Sequence, residues 1–593
     1  MYRTHTCEEL TSQHIGQTVK LAGWVNRRRD HGGLIFIDLR DRFDITQVVF
    51  NPEKNPEAHT TAETLRSEWV IQIEGTVIPR AEGMANPKMK TGEIEVEVNQ
   101  ITILSEAKNP PFSICDEKIN VNEELRLKYR YLDLRRGRLT QNLLLRNRAM
   151  MVARNYLDAQ GFPEVTTPFL GKSTPEGSRD YLVPSRLSPG SFYALPQSPQ
   201  LYKQILMVAG MDKYYQFATC LRDEDLRANR QPEFTQIDME MSFGTPDDLF
   251  PIVEGLMQEI FNKTIDVKIQ APFLRMTYDD CMEKYGTDKP DLRFGMPLVR
   301  IDHIAERSSF SVFKEVIANG GVIKGLCVQG GADISRKGID TYTDFVGRLG
   351  IKGLAWMKVS PEGELTSNIV KFFDESLQKE LIEAFGCQPN DILFMVADRP
   401  NAVNQALDHL RRQIARDRNL IDPNKYSLLW VTDFPLFNWN EDEGRIESEH
   451  HPFTSPHPED IPLLDTDPLK VRSSSYDLVL NGHETSSGSQ RIHDSRLQQK
   501  IFEVLNLNQE ELEERFGFFL EALNYGTPPH LGMALGFDRI IMVLTQTENI
   551  RDVIAFPKSS KASDLMTEAP SSVDKEQLAE LRLKLDTIME ELS

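Results

Sequence analysis

At 593 residues the chain is too long for one core, and roughly 150 residues per domain calls for about three or four units. Hydrophobic residues at 40% and charged residues at 26% are ordinary soluble-protein values; no run approaches the ~18 apolar residues of a membrane span, and the start, MYRTHTCEEL, has no apolar export core. The net charge of −21 excludes indiscriminate nucleic-acid binding through a basic excess, while leaving room for a local basic site.

Residues 1–107 read as short strands, TVKLAGWV, LIFIDLRD, ITQVVF, VIQIEGTV and EIEVEVNQITIL, separated by Gly, Asp and Asn. Five such strands predict an N-terminal OB-fold β-barrel. Such a barrel binds nucleic acid across an open sheet face with aromatics for stacking and cations for phosphate. Phe36 beside Arg27, Arg28 and Arg29 offers both. A solvated edge for the arginines and a core position for Phe36 are the other readings.

Residues 108–130 have the Pro, Asn and charge content of a linker. From Tyr131 to Gln160 the pattern turns helical and Gly161 stops it, after which FPEVTTPFL reads as an extended strand ending near Pro168, at an edge or subunit contact. In SPQLYKQIL, Ser198 is the expected N-cap and Pro199 the first helical residue, so Gln200 and Lys203 share one face. Lys203 is then placed to hold an acidic ligand, or is a solvated lysine.

Between Phe217 and Phe243 two alternating segments flank a polar loop. Arg222 and Glu224 share parity in the first segment, and Phe234, Gln236 and Asp238 in the second, while Thr235, Ile237, Met239 and Met241 point the other way. A cation, an aromatic plate, an amide and carboxylates on one sheet face suit a nucleotide phosphate, a flat base and a small zwitterion. The chain therefore reads as an enzyme acting on ATP.

Residues 288–420 interrupt that pattern with their own strands and helices, an α+β insertion without a nucleophile or ligand cluster. The sheet pattern resumes at SLLWVTDFPLF. Further on, Asn481-Gly482 is a strong two-residue hairpin signal that sets Leu480 opposite His483 and Val479 opposite Glu484. Asp477 and Glu484 then lie diagonally on one face, within reach of a shared Mg²⁺. Arg491 reaches that face only through a one-residue bulge, expected at Gly488. LGMALGFDRIIMVL places Arg539 in a first helical turn, able to grip a phosphate or cover a base. Residues 561–593 end in a charged helix. The six cysteines show no CxxC and the histidines no HExxH, which leaves carboxylates as the metal ligands and a reducing compartment, the cytoplasm, as the setting.

In this order the pieces resemble a class II aminoacyl-tRNA synthetase of the bacterial aspartyl type, over nearly the whole chain. Pro168 in GFPEVTTP, Arg222 and Glu224 in CLRDED, and Gly536 to Arg539 in GFDR look like the three class II motifs, joined by TPEGSRD, QSPQLYK, PEFTQID and HHPFTSP. The resemblance implies a multidomain α+β protein: an OB-fold anticodon-binding domain (1–107), a hinge (108–130), an antiparallel-sheet catalytic domain in two parts (131–287 and 421–560), a GAD-type insertion (288–420) and a C-terminal extension (561–593). It also implies a homodimer joined at the first motif.

By position, it assigns Gln200, Lys203, Asp238 and Arg491 to aspartate, with Glu176 and His450 close by. Arg222 goes to the α-phosphate and, with Glu224 and Arg539, to catalysis. Asp223, Gln231, Phe234, Glu484, Gly536, Phe537 and Asp538 complete the ATP site, and Asp477 and Glu484 take Mg²⁺. Arg29, Phe36 and Gln47 resemble the family's anticodon contacts. RRRDHGG and EGMANP, at His31 and Gly83, resemble members that charge both tRNA(Asp) and tRNA(Asn) and rely on an amidotransferase. Ser486 and Ser487 stand where the family usually has glycines. A lysyl enzyme would set its cationic substrate against Lys203 and Arg491, and the large insertion is unlike the asparaginyl type. A tRNA(Asp)-only enzyme and a catalytically silent tRNA-binding paralogue are the remaining alternatives.

Overall fold

The computed structural model describes residues 1–116, 120–174 and 178–585. Two compact units result: residues 1–146, 226–228 and 549–572 form the first, and residues 147–225, 229–548 and 573–593 the second.

In the first unit the strands Thr18–His31, Leu34–Arg40, Ile45–Phe50, Val70–Pro79 and Ile94–Ser105 close into a barrel. The order is first, second, third, fifth, fourth, with the third and fifth parallel and the rest antiparallel. Strict alternation builds it: Val19, Leu21 and Val25, then Ile35, Ile37 and Leu39, are fully buried inside the wall. A helix, Pro56–Thr64, capped by the Asn55 side chain accepting from Ala58 N–H, connects the third strand to the fourth in sequence. Beyond the barrel, Arg130 is buried and donates to the carbonyls of Arg551, Ile554 and Ala555 at 2.6, 2.8 and 2.9 Å, tying the short helix Arg130–Asp133 to the segment after residue 549.

The second unit is organised by a seven-stranded sheet. In spatial order its strands are Leu274–Thr277, Leu428–Thr432, Ser475–Leu480, His483–Gln490, His530–Gly536, Glu233–Ser242 and Lys213–Leu221. All pairs are antiparallel except the first. The helix Pro246–Ile265 covers one side, where Phe250 stacks on Trp430 at 4.0 Å between centroids. Within this unit residues 298–398 also contribute a separate antiparallel sheet, in the order Leu298–Arg300, Val322–Val328, Ile392–Asp398, Ala355–Val359, Leu365–Thr366. Each of its faces has its own apolar cluster, one including Leu326, Phe394 and Leu407, the other Ile323, Leu393 and Leu381.

Three local expectations are corrected. FPEVTTPFL is not a strand: it makes a single bridge, Glu164 to Tyr215, and Pro168 lies exposed beyond it, beside half-exposed Phe169 and Leu170. The helix of SPQLYKQIL starts at Gln200 with Pro199 as N-cap, so Ser198 stands one place outside. In the C-terminal segment the described helix runs only over Lys575–Glu580; residues 586–593 lie outside the described residues. Among the described residues no helix is long and apolar enough to cross a membrane.

Candidate active site

The strand Glu233–Ser242 lies between Lys213–Leu221 and His530–Gly536, so its ladder is satisfied on both edges. Period-two geometry puts Phe234, Gln236, Asp238 and Glu240 on one face. Asp238 and Glu240 have almost no exposed surface. Burial of two like charges two residues apart is costly without cations. The helix Gln200–Val208 supplies one: Lys203 Nζ lies 2.8 Å from Asp238 Oδ2 and 3.4 Å from Glu240 Oε2. Arg491 supplies the other, its Nε donating to Glu240 Oε1 at 2.9 Å and its Nη2 to Oε2 at 3.2 Å, while Nη1 donates to Ser489 Oγ at 2.6 Å.

The two carboxyls respond differently. Burial pushes Asp238 above the usual carboxylate range despite Lys203. Burial also opposes the charge on Glu240, but Arg491 and Lys203 outweigh it and hold its carboxyl below that range. The difference follows from the bidentate arginine, which only Glu240 has. Sequence reasoning missed Glu240, although its parity with Phe234 and Asp238 marks it. His451, in HHPFTSP, was given no role by the sequence. That imidazole is buried and driven down to about 3, first by burial and then by Arg491 and Lys203, so it is neutral at physiological pH. Its Nδ1 accepts from Phe453 N–H at 3.3 Å, which leaves Nε2 as a buried donor with no partner. The Gln200 amide Nε2 and Asp238 Oδ1 are likewise buried without partners. Donors and an acceptor thus stand unmatched around the two ion pairs, as a zwitterion with an acidic side chain requires.

The Asn481-Gly482 hairpin forms as expected, both residues at positive φ (53° and 78°), with Leu480 opposite His483 and Val479 opposite Glu484. A one-residue bulge does restore parity, but at Thr485 rather than Gly488: Leu478 pairs with Ser486, and Asp477 with Ser487. The Thr485 hydroxyl holds the bulge by donating to Leu478 C=O at 2.9 Å. Gly488 has another duty, since a Cβ there would stand 2.4 Å from Gly532 O. The bulge leaves Asp477, Glu484, Ser489 and Arg491 on one face.

Burial, and next the charge of Glu484, raise the Asp477 carboxyl well above its ordinary value. Asp477 Oδ1 is buried without a hydrogen-bond partner, and His450 Nε2 lies 3.8 Å from it. Desolvation of the ring lowers the pKa of the His450 imidazole. Among the described residues no cluster of three or more His, Cys, Asp or Glu makes a ready-made metal cage. An orphaned carboxylate oxygen beside a second carboxylate, with the other ligands left to phosphate and water, fits a hard divalent cation.

Arg222 and Glu224 do not alternate on a strand as expected, because Lys213–Leu221 ends before them. They sit in the loop, whose base is closed by Arg222 N–H to Pro232 C=O at 2.9 Å. The Arg222 guanidinium covers the Phe234 ring at 5.1 Å, with Nε buried and unpartnered, and Glu224 accepts from Arg230 at 3.2 Å. Gln231 is buried at the far end of the same loop, while Asp223 pairs with Arg179 at 3.8 Å. Arg539, in the first turn of the helix Phe537–Leu544, donates to Glu484 C=O at 2.7 Å. Burial lowers its pKa, and the next charges acting on it are those of Glu484, Arg230, Arg222 and Glu224, which gathers the five in one neighbourhood. The side chains of Phe537 and Asp538 point elsewhere. Phe537 packs edge-on against Phe217 at 5.3 Å, and Asp538 accepts from Thr235 N–H at 2.7 Å, so toward a ligand this stretch offers backbone and Arg539. Glu176 lies outside the described residues.

On the barrel, Arg29 pairs across strands with Phe36, and Phe36 points outward, opposite in parity to the buried Ile35 and Ile37. Arg29 Nη2 donates to Asp38 at 2.6 Å and to Gln47 at 3.1 Å, and Gln47 donates to Glu95 at 2.6 Å. His31 is exposed at the end of its strand, and Gly83 is exposed in a loop at φ 76°. These are the features of a single-strand-binding face: an outward aromatic, a tethered cation and an amide.

Comparison with known proteins agrees with both halves. The profile of class II tRNA synthetases (D, K and N) matches residues 122–560, and that of OB-fold nucleic acid binding domains matches residues 19–104. The aspartate–tRNA(Asp/Asn) ligase of Protochlamydia amoebophila is 65% identical over 98% of this chain and 97% of its own length. That of Chlamydia trachomatis serovar L2 is 60% identical over 98% and 100%. Among solved structures, the asparaginyl-tRNA synthetase of Pyrococcus horikoshii complexed with asparaginyl-adenylate superposes with a TM-score of 0.59 over 94% of this chain and 99% of its own, at 18% identity. A putative aspartyl-tRNA synthetase of Leishmania major gives 0.57 over 94% and 93%, at 19%. At these identities the structures share the fold.

Proposed function

The chain belongs to the class II tRNA synthetases of the D, K and N group, and from that premise we propose that it attaches L-aspartate to tRNA(Asp) and tRNA(Asn). The observation that carries the amino-acid choice is the pair of buried cations, Lys203 and Arg491, each held by a buried carboxylate and each with N–H donors to spare. Aspartate brings two carboxylates and one ammonium. Lys203, Arg491 and the neutral His451 Nε2–H offer donors to the side-chain carboxylate, Asp238 Oδ1 accepts from the ammonium, and Gln200 donates beside it. Lysine would meet two cations. Asparagine would lack the charge that balances them.

The α-carboxylate of aspartate attacks the α-phosphorus of ATP, forming aspartyl-adenylate and releasing pyrophosphate. Arg222, with its free Nε, neutralises the phosphoryl oxygens as charge builds, and Phe234 and Arg539 hold the adenine ring between them. In the second step the terminal adenosine hydroxyl of tRNA attacks the activated carbonyl and AMP leaves. No protein nucleophile is needed; positioning and charge neutralisation lower the barrier. Asp477 and Glu484 would hold a divalent cation, Mg²⁺, which neutralises phosphate charge when bound.

Anticodon recognition falls to Arg29, Phe36 and Gln47, with His31 and Gly83 admitting tRNA(Asn) as well. The aspartyl-tRNA(Asn) so formed is a substrate for an amidotransferase. Exposed Pro168, Phe169 and Leu170 support a homodimer joined at the first motif, and the cytoplasm is the compartment that holds these substrates. The test is aspartate-dependent pyrophosphate exchange, followed by charging of purified tRNA(Asp) and tRNA(Asn) side by side. Exchange with asparagine or lysine instead would overturn the substrate; failure with tRNA(Asn) alone would leave an enzyme specific for tRNA(Asp).

A further inference from the structure

Between the helix Tyr278–Tyr285 and the strand Leu298–Arg300 runs a short segment, Thr287 to Arg293, that no assignment above uses. It is anchored at Asp291. The Asp291 side chain is gripped by Arg293 through Nε at 3.0 Å and Nη2 at 2.7 Å. Its carbonyl accepts from Arg411 Nη2 at 2.6 Å, and Arg411 is a fully buried arginine of the helix Pro400–Asp417 that also donates to Phe294 and Met296 C=O. On the other side Asp291 abuts the catalytic hairpin so closely that a Cβ on Gly482 would stand 2.8 Å from Asp291 Cβ. Thr287 Oγ1 fixes the start by accepting from Lys289 N–H at 3.3 Å.

This scaffolding presents one side chain. Lys289 Nζ is half-exposed, 4.0 Å from Glu484 Oε2 and 3.5 Å from Asp288 Oδ1. An exposed Lys–Glu pair adds little stability, so rigid anchoring on two sides is out of proportion to a surface ion pair. Glu484 is backed from its main-chain side by Arg539, and Lys289 is the cation on its side-chain oxygens.

We propose that Lys289 is a binding residue for the β- and γ-phosphates of ATP, and for pyrophosphate in reverse, held in place by Arg411 and the Asn481-Gly482 turn. The inference rests on the reading of Glu484 as part of the ATP site. It gives the insertion a task, since Arg411 on its helix positions the segment that carries the cation.

The test compares full-length wild type with K289A and K289R. K289A is expected to weaken calorimetric binding of ATP, and to raise the KM for pyrophosphate in the reverse reaction, by about tenfold, the scale of one charge-assisted hydrogen bond. AMP binding and the aspartate KM should stay unchanged, with K289R close to wild type. Unchanged ATP affinity in K289A, or AMP affinity that falls equally, overturns the inference. A wild type without aspartate-dependent exchange would instead sink the substrate assignment, while the ATP and AMP affinities would still decide the role of Lys289.

Discussion

Arg491 clasps Glu240 through two parallel N–H to carboxylate bonds of 2.9 and 3.2 Å, and both side chains are buried. The same carboxylate lies 3.4 Å from Lys203. Glu240 therefore bridges the two buried cations, its bidentate bonds going to Arg491 and its second contact to Lys203.

Replacing Glu240 tests this directly. E240A leaves two buried cations short of a partner and is expected to cost about 3–5 kcal/mol of stability, read by urea unfolding. E240Q keeps the shape and part of the hydrogen bonding; its aspartate KM should rise roughly 10–100-fold in pyrophosphate exchange. An unchanged aspartate KM would remove Glu240 from the site.

Gly488 is expected to tolerate no side chain. A Cβ would stand 2.4 Å from Gly532 O and 2.5 Å from Met533 Cβ, at the seam of two strands that carry Glu484 and abut Asp238. G488A should lower stability by about 3 kcal/mol or more, or abolish soluble expression. A variant that melts like wild type would show that the seam opens.

The low pKa of His451 makes a pH prediction. Its folded value, about 3, lies below the ordinary 6.5, so the folded state resists the proton that the unfolded chain takes up. Its contribution to stability is complete above 6.5 and falls away as pH drops toward 3. H451N, which retains an acceptor for Phe453 N–H and removes the titrating ring, should lose melting temperature less steeply than wild type between those limits. Parallel curves would contradict the assignment of the neutral ring.

The barrel face can be separated from the chemistry. R29A removes a cation held by Asp38 and Gln47 beside Phe36. Aspartate-dependent exchange should be unaffected, while tRNA charging falls about tenfold and the salt slope of tRNA binding shrinks by about one unit. Equal loss in both assays would mean the barrel residue acts through folding.

Much of this was legible in the chain. The barrel strands follow from alternation, and the hairpin pairings from Asn481-Gly482, because turn type sets register within a few residues. The need for a bulge was also legible, since Glu484 and Arg491 are an odd number of residues apart. Its position was not: Gly488 is a glycine because another strand presses on it, whereas Thr485 holds the bulge through a hydroxyl bond across the strand pair. Arg222 misled in a similar way, for alternation cannot tell where a strand loses its partner.

Local quantities, then, were determined by the sequence alone: period, turn residues, the order of the motifs, and from these the barrel, the hairpin and the class of the enzyme. Which cation meets which carboxylate was decided only by the tertiary structure. Lys203 and Asp238 are 35 positions apart, and Arg491 and Glu240 are 251 apart. They meet because the strand order sets His530–Gly536 between Glu233–Ser242 and His483–Gln490, an outcome of long-range packing that no window of the sequence contains.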